Sequence, residues 1–147
     1  MSRAILPLLA CAALGCAAAP GLRERPVDGA IADGVAFLVA SQNADGSWGT
    51  GRGTSRTALM ASVPGSHAAF RVGATALCVM ALRESGEREA SARGLRYLVS
   101  YDGLRRANRV ELYNIWGHTY ALQALARAFR EEGRPEFREA AERHLRH

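Results

Sequence analysis

Apolar side chains recur along this chain at intervals of three and four residues, and no segment shows sustained alternation of apolar and polar positions. That spacing places apolar side chains on one face of a helix, whereas alternation is typical of strands. Glycine and proline mark the helix ends, as in Gly133-Arg134-Pro135, where Pro135 suits a first helical turn. The pattern predicts an all-α fold with helices at residues 28–42, 71–85, 87–100, 115–132 and 135–146.

Two kinds of helix alternate in this prediction. The second and fourth segments are rich in apolar and small residues, and they contain similar stretches, Gly73–Leu82 and Gly117–Leu125. A helix that is apolar on most sides is usually buried by its neighbours. The third and fifth segments alternate Arg with Glu, which indicates one solvated face. We therefore predict inner and outer helices, arranged as two αα-hairpins and a third that is begun by the last helix.

The first predicted helix ends in the string Gln42-Asn-Ala-Asp-Gly-Ser-Trp-Gly49. Asp45-Gly46 is a turn sequence, because Gly46 can adopt a positive φ and the Asp45 side chain can bond its own backbone. The Gln42 amide offers donors and an acceptor to the free backbone groups at neighbouring helix ends. Trp48 adds a large apolar surface. These residue types predict a structural clasp between helices.

The opening of this motif recurs further along the chain. Arg93–Leu98 repeats the positions of Asp33–Leu38 after 60 residues, and a third start follows near Arg143, after another 50 residues. The second copy continues with Asp102-Gly103 and lacks the later Gly-x-Trp. A period of this length indicates a repeat architecture. The repeat positions are Gly34, Phe37, Leu38, Gln42, Asp45, Gly46, Trp48 and Gly49 in the first copy, and Arg93, Gly94, Tyr97 and Leu98 in the second.

Together these positions resemble the QW repeat of the squalene/hopene cyclase and protein prenyltransferase superfamily, over about residues 28–147. That family usually has Lys or Arg before the first glycine, a position occupied by Asp33 in the first copy and by Arg93 in the second. The resemblance implies an α/α toroid built from αα-hairpins, of which this chain supplies a part. It also implies that the motif joins adjacent hairpins.

The catalytic groups of that superfamily are not found in this sequence. Its prenyltransferases hold zinc with an Asp-x-Cys pair and a later His; Gly117-His118-Thr119-Tyr120 resembles the His segment, but no Asp-x-Cys occurs. A catalytic zinc needs three protein ligands. Its cyclases use an Asp-x-Asp-Asp cluster, which is absent because the aspartates are scattered. We predict no catalytic residue, no metal site and no cofactor. The aspartates are Asp28, Asp33, Asp45 and Asp102.

Four polar side chains are candidates to face the interior of a toroid. His67 and Arg71 lie in the segment Thr50–Arg71, which is rich in Gly, Ser and Thr and is predicted to be a long loop. Long loops are either functional or flexible. Arginines there could engage an anionic ligand, and a solvated loop is the alternative. His118 and Tyr120 occupy the start of the second inner helix.

The charge pattern argues against a nucleic-acid partner. The net charge is +5, and all 19 basic residues are Arg. A nucleic-acid-binding surface clusters its basic residues on one face. Here Arg alternates with Glu along the outer helices, which is the pattern of a solvated surface.

The N-terminus has the features of an export signal, with Arg3 ahead of the apolar run Ile5–Leu14 and small residues after it. The run is too short for a permanent membrane span. Ala13-Leu14-Gly15-Cys16 resembles a bacterial lipobox, with Cys16 as the lipidation candidate. The alternatives are ordinary cleavage near Ala17–Ala19 and a buried N-terminal helix. The predicted organisation is a signal at 1–19, a linker at 20–27 and a partial toroid at 28–147.

The sequence thus predicts an exported repeat protein of the cell envelope, periplasmic or anchored through a lipidated N-terminus. It would act as a non-catalytic binding or scaffold module, and the alternative is a fragment or remnant of a terpenoid cyclase or prenyltransferase. An incomplete array leaves apolar flanks exposed near residues 72–82 and 122–129, and such flanks mark association surfaces. We expect self-association or pairing with another repeat protein. The ligand is not indicated.

Overall fold

The computed structural model describes residues 27–50, 66–101, 103–104 and 113–146. Within these ranges the chain forms five α-helices and no strand, so the predicted all-α fold is confirmed. The predicted signal with Cys16, most of the linker, most of the Thr50–Arg71 segment and Asp102 lie outside the described residues. The helices are α1 (Val27–Ala40), α2 (Ser66–Glu84), α3 (Arg88–Ser100), α4 (Tyr113–Glu132) and α5 (Pro135–Leu145).

Helix boundaries agree with the predictions to within two residues, except at the start of α2. We predicted a loop as far as Arg71, but α2 begins at Ser66, so His67 and Arg71 are helical. That part of the loop prediction was wrong. Ala69 and Val72 are buried and continue the apolar face of α2 towards its N-terminus. Alanine is also the strongest helix former, and this stretch contains two in succession.

α2 and α4 form the centre of the structure. They make the most extensive contact in the described chain, α3 packs against α2, and α5 packs against α4. α3 and α5 also touch each other, so they lie on the same side of the central pair. Glycines allow α2 and α4 to approach closely: a Cβ on Gly73 would lie 3.8 Å from the Gly117 Cα. A Cβ on Gly117 would lie 2.7 Å from a Leu104 methyl group.

The hydrophobic core lies between these four helices. Small side chains on α4 alternate with larger ones on its neighbours, which lets the helices interdigitate. The fully buried core residues are Val72, Ala76, Val79 and Leu82 of α2, Leu98 of α3, Ala121, Leu125 and Ala128 of α4, with Ala140 of α5 almost as deep.

None of the helices in the described ranges is long and apolar enough to cross a membrane.

Short turns with a glycine join α2 to α3 and α4 to α5. Gly86 has φ of +80° and ends α2, and the Glu87 side chain then accepts hydrogen bonds from the backbone N–H groups of Glu89 and Ala90. Such a cap satisfies two otherwise free donors of α3. Gly133, with φ of +69°, ends α4 in the same way, and Pro135 begins α5.

α1 is attached differently from the other helices. None of its residues is buried, although Ile31, Phe37 and Val39 are large and apolar. Its contacts with other helices are few and are mainly with α2, and Val35 and Leu38 pack against the edge of the core. α1 is therefore held mainly by the turn that follows it.

Candidate functional site

The turn after α1 is closed by its own polar groups. The Asn43 N–H donates to the Ser47 carbonyl, and the Gly46 N–H donates to the Asn43 carbonyl, both at 2.9 Å. Asp45 Oδ1 accepts from the Ser47 N–H at 3.1 Å and from the Ser47 hydroxyl at 2.7 Å. Gly46 has φ of +87°, a conformation that favours glycine. The residue types of Asp45-Gly46 thus produce a tight turn with little freedom.

Gln42 ties this turn to α3. Its Nε2 donates to the carbonyls of Gly46 and Ala90, both at 2.9 Å, and its Oε1 accepts from Arg93 Nε at 2.7 Å. Both N–H groups of the amide and its oxygen are therefore hydrogen-bonded. The contact is close, because a Cβ on Gly46 would lie 2.5 Å from the Arg93 carbonyl oxygen.

Trp48 joins three helices. Its side chain is 3% exposed, and its indole N–H donates to the Leu38 carbonyl of α1 at 2.7 Å. Its backbone N–H donates to Thr75 Oγ1 of α2 at 3.0 Å. Its ring covers Gly94 of α3, where a Cβ would lie 2.8 Å from the ring. We call Gln42–Gly49, with these partners on α1, α2 and α3, the clasp.

Arg71 completes the clasp from α2. Its guanidinium donates to Asp45 Oδ2 at 2.7 Å and to Ser47 Oγ at 2.8 Å. It also lies over the Tyr97 ring, 5.6 Å from the centroid, and Tyr97 stacks on Tyr101. Arg71 was one of the cavity-facing candidates in the sequence, and in the structure it stabilises this turn.

The electrostatics of the clasp fix its protonation states. Partial burial, the largest influence on the Asp45 carboxyl, acts to raise its pKa, but hydrogen bonds from Ser47 and the charge of Arg71 outweigh it, and the pKa is lowered. Burial raises the pKa of the Tyr97 phenol to about 12. Asp45 is therefore ionised and Tyr97 neutral at neutral pH.

The other cavity candidates have different neighbours. His67 is half-buried at the start of α2, and Tyr120 on α4 lies against Gly73, where a Cβ would come within 3.7 Å of the ring. His118 is buried, and its Nδ1 lies 2.9 Å from Nδ1 of His144 on α5. The described contacts of Arg71, Tyr120 and His118 involve different partners. His144 was not among the residues predicted from the sequence. Its spacing from Phe137 and Ala140 places it on the buried face of α5.

Among the described residues, no group of three or more His, Cys, Asp or Glu side chains is placed to hold a metal ion. The two ring nitrogens of the His118–His144 pair are close enough to share a hydrogen bond, which allows one ring to donate and the other to accept. The pair therefore links α4 to α5.

A patch of exposed apolar side chains lies on the central helices. Phe70 is 40% exposed, Leu77 is 47% exposed, and their spacing of seven residues places both on one side of α2. Trp116 of α4 is 56% exposed, and its ring centroid lies 6.5 Å from that of Phe70. Ile115 precedes it and is also exposed. We call Phe70, Leu77, Ile115 and Trp116 the apolar patch. Leu77 lies in the 72–82 stretch where the sequence predicted an exposed apolar flank, and the other three lie outside the predicted stretches.

No protein-family model, curated protein or solved structure matches this chain.

Proposed function

We propose that this protein is a non-catalytic binding or scaffold module, built from αα-hairpins that resemble the QW repeats of the squalene/hopene cyclase and prenyltransferase superfamily. The observation that carries the proposal is the apolar patch on α2 and α4. Exposed aromatic side chains in mutual contact on adjacent helices are typical of binding surfaces. The partial toroid implied by the resemblance is part of the same proposal.

The polar residues of the clasp support a structural rather than a catalytic role. Asp45 accepts hydrogen bonds from Ser47 and Arg71, and its lowered pKa keeps it ionised. A general acid must hold a proton that it can deliver to the substrate. Asp45 has no such proton at neutral pH. Gln42 and Arg93 are likewise bonded to each other.

The alternative, a fragment or remnant of a terpenoid cyclase or prenyltransferase, places different demands on the same patch. In that case the patch would hold an isoprenoid chain next to a reacting group. Phe70 and Trp116 provide apolar contact for such a chain, and the Asp45 carboxylate of the clasp is already bonded to Ser47 and Arg71. This arrangement favours binding without turnover.

We expect the purified protein to bind the apolar fluorophore 1-anilinonaphthalene-8-sulfonate at the apolar patch and to convert neither squalene nor prenyl diphosphates. Trp116→Ser should weaken binding of the fluorophore about threefold or more, because it removes a large exposed ring. Leu145→Ser is the matched control, since Leu145 on α5 is 66% exposed and lies outside the patch. Equal weakening by both changes would remove the patch as the binding surface. Cyclised or prenylated product would favour the enzyme alternative.

We further propose that the protein is exported to the cell envelope, because residues 1–19 combine an early Arg, an apolar run and small residues. The mature protein from its native host should then lack this segment. Intact-mass spectrometry distinguishes three outcomes: a diacylglyceryl increment on Cys16, ordinary cleavage near Ala17–Ala19, or an unprocessed Met1. The last outcome would contradict export.

A further inference from the structure

His118 of α4 and His144 of α5 form a buried pair of titratable side chains. Their Nδ1 atoms lie 2.9 Å apart, and their ring centroids lie 5.1 Å apart with the ring planes inclined at 64°. Each residue is 8% exposed. Histidine is the side chain whose charge changes most readily between about pH 5 and 8, so a buried pair in direct contact is sensitive to pH.

The contact between the two Nδ1 atoms limits how many protons the pair can carry. In the neutral pair one Nδ1–H donates to the other Nδ1, and one added proton keeps this bond. A second added proton gives both rings an Nδ1–H, and the two hydrogens then point at each other across 2.9 Å. This conflict holds whatever the two Nε2 atoms bond. The contact is therefore compatible with at most one positive charge on the pair.

The positions of the two rings in their helices differ in a way that favours one of them as the donor. His144 lies in the last turn of α5, where the helix dipole stabilises a cation. His118 lies in the second turn of α4, away from the end that favours positive charge. We therefore assign the donated Nδ1–H to His144 and the accepting Nδ1 to His118.

The charged groups closest to the pair in sequence make a second positive charge less favourable. Arg143 precedes His144, and its guanidinium donates to the Val99 carbonyl of α3 at 2.7 Å. Within α4 the charged residues begin at Arg127, more than two turns beyond His118. Like charges close together in a buried site disfavour each other's ionised forms.

The helices that pack around the pair carry other titratable or charged groups. Two of the α5 carboxylates are engaged elsewhere, because Glu136 pairs with Arg134 and Glu142 pairs with Arg138. The remaining groups in the described chain near these ends of the helices are Glu139 and Arg146 of α5, Arg96, Tyr97 and Tyr101 of α3, and His67 and Arg71 of α2.

We propose that the His118–His144 pair is a pH-sensitive contact, which docks the C-terminal part of α5 on α4 at neutral pH and releases it when both rings are protonated. In the unfolded chain each histidine binds a proton as the pH falls below about 6.5, whereas the docked pair binds at most one. The unfolded state then binds more protons than the folded state, so stability falls as the pH falls. One proton of difference lowers the folding equilibrium constant about tenfold for each pH unit between about 6 and 5.

The test compares the pH dependence of urea unfolding in the full chain with that of His118→Asn. The Asn side-chain oxygen can accept from the His144 Nδ1–H at every pH, so this variant keeps the bond and removes the conflict. Between about pH 6 and 5 the wild-type folding equilibrium constant should fall about tenfold more than that of the variant. His144→Asn should remove the same pH dependence. His67→Asn is the matched control, because His67 is a half-buried histidine on α2, and it should keep the wild-type slope.

A second measurement needs no variant. Nitrogen-15 spectra of the imidazole rings report the protonation of each ring, and amide hydrogen exchange reports whether α5 is docked. Protection of the α5 amides should decrease more than that of the α2 amides when the pH is lowered to about 5. The proposal is overturned by equal pH slopes in the wild type, His118→Asn and His144→Asn, or by a slope that His67→Asn removes as well. Two fully protonated rings in a folded chain with α5 still protected would also overturn it.

Discussion

Replacing Gly94 by alanine should lower the stability of the protein, whereas the same replacement at Gly34 should not. The Cβ of alanine at 94 would meet a Val79 methyl at 2.4 Å and the Trp48 ring at 2.8 Å, and both neighbours are buried. Neither can move without disturbing the core, because protein interiors are close-packed. Overpacking of this kind costs about 1–3 kcal/mol.

Gly34 is the matched control because it occupies the same repeat position on α1 and is exposed. A Cβ there meets no atom within 4 Å. Glycine inside an exposed helix is less favourable than alanine by about 0.5–1 kcal/mol, so Gly34→Ala should be neutral or stabilising. Urea unfolding followed by circular dichroism measures both changes. Equal effects at the two positions would show that α2 does not cover α3 as closely as the structure has it.

The helices and their ends follow from local signals in the sequence. Apolar spacing, Gly86, Gly133 and Pro135 placed four of the five helices to within two residues. The start of α2 was missed because Gly, Ser and Thr before it suggested a loop, while the helix is stabilised by burial of Ala69 and Val72 in the core. Burial is a tertiary effect that composition alone does not reveal. The arrangement of the hairpins in a toroid is a prediction from the resemblance to the cyclase and prenyltransferase repeats.

The turn inside the clasp is formed by residues that are close together in the sequence, whereas its partners on other helices are distant in the sequence. Asp45-Gly46 forms the turn expected of these residue types, with Gly46 at positive φ. The Arg71 guanidinium reaches Asp45 across 26 residues, and Arg93 reaches Gln42 across 51. Sequence spacing does not encode such contacts, because they depend on how α2 and α3 dock.

Removing the ring of Trp48 should produce the largest loss of stability of any single change in the clasp. Trp48→Ala deletes a side chain that is 3% exposed, donates to the Leu38 carbonyl of α1 and lies over Gly94 of α3. Large-to-small changes of buried aromatics cost about 3–5 kcal/mol. For a chain of this size that is a large part of the total stability, which is about 5–15 kcal/mol for typical proteins.

The loss should have a second, local consequence, because α1 has no buried residue and is held mainly by the clasp. Trp48→Ala should release α1 before the remaining helices unfold, so the helical circular dichroism signal should fall in two steps. Trp48→Phe is the control: it keeps a ring against Gly94 but loses the indole N–H bond to the Leu38 carbonyl, which is worth about 1 kcal/mol. A Trp48→Ala protein with an unchanged, single transition would mean that the clasp does not join α1 to the hairpin formed by α2 and α3.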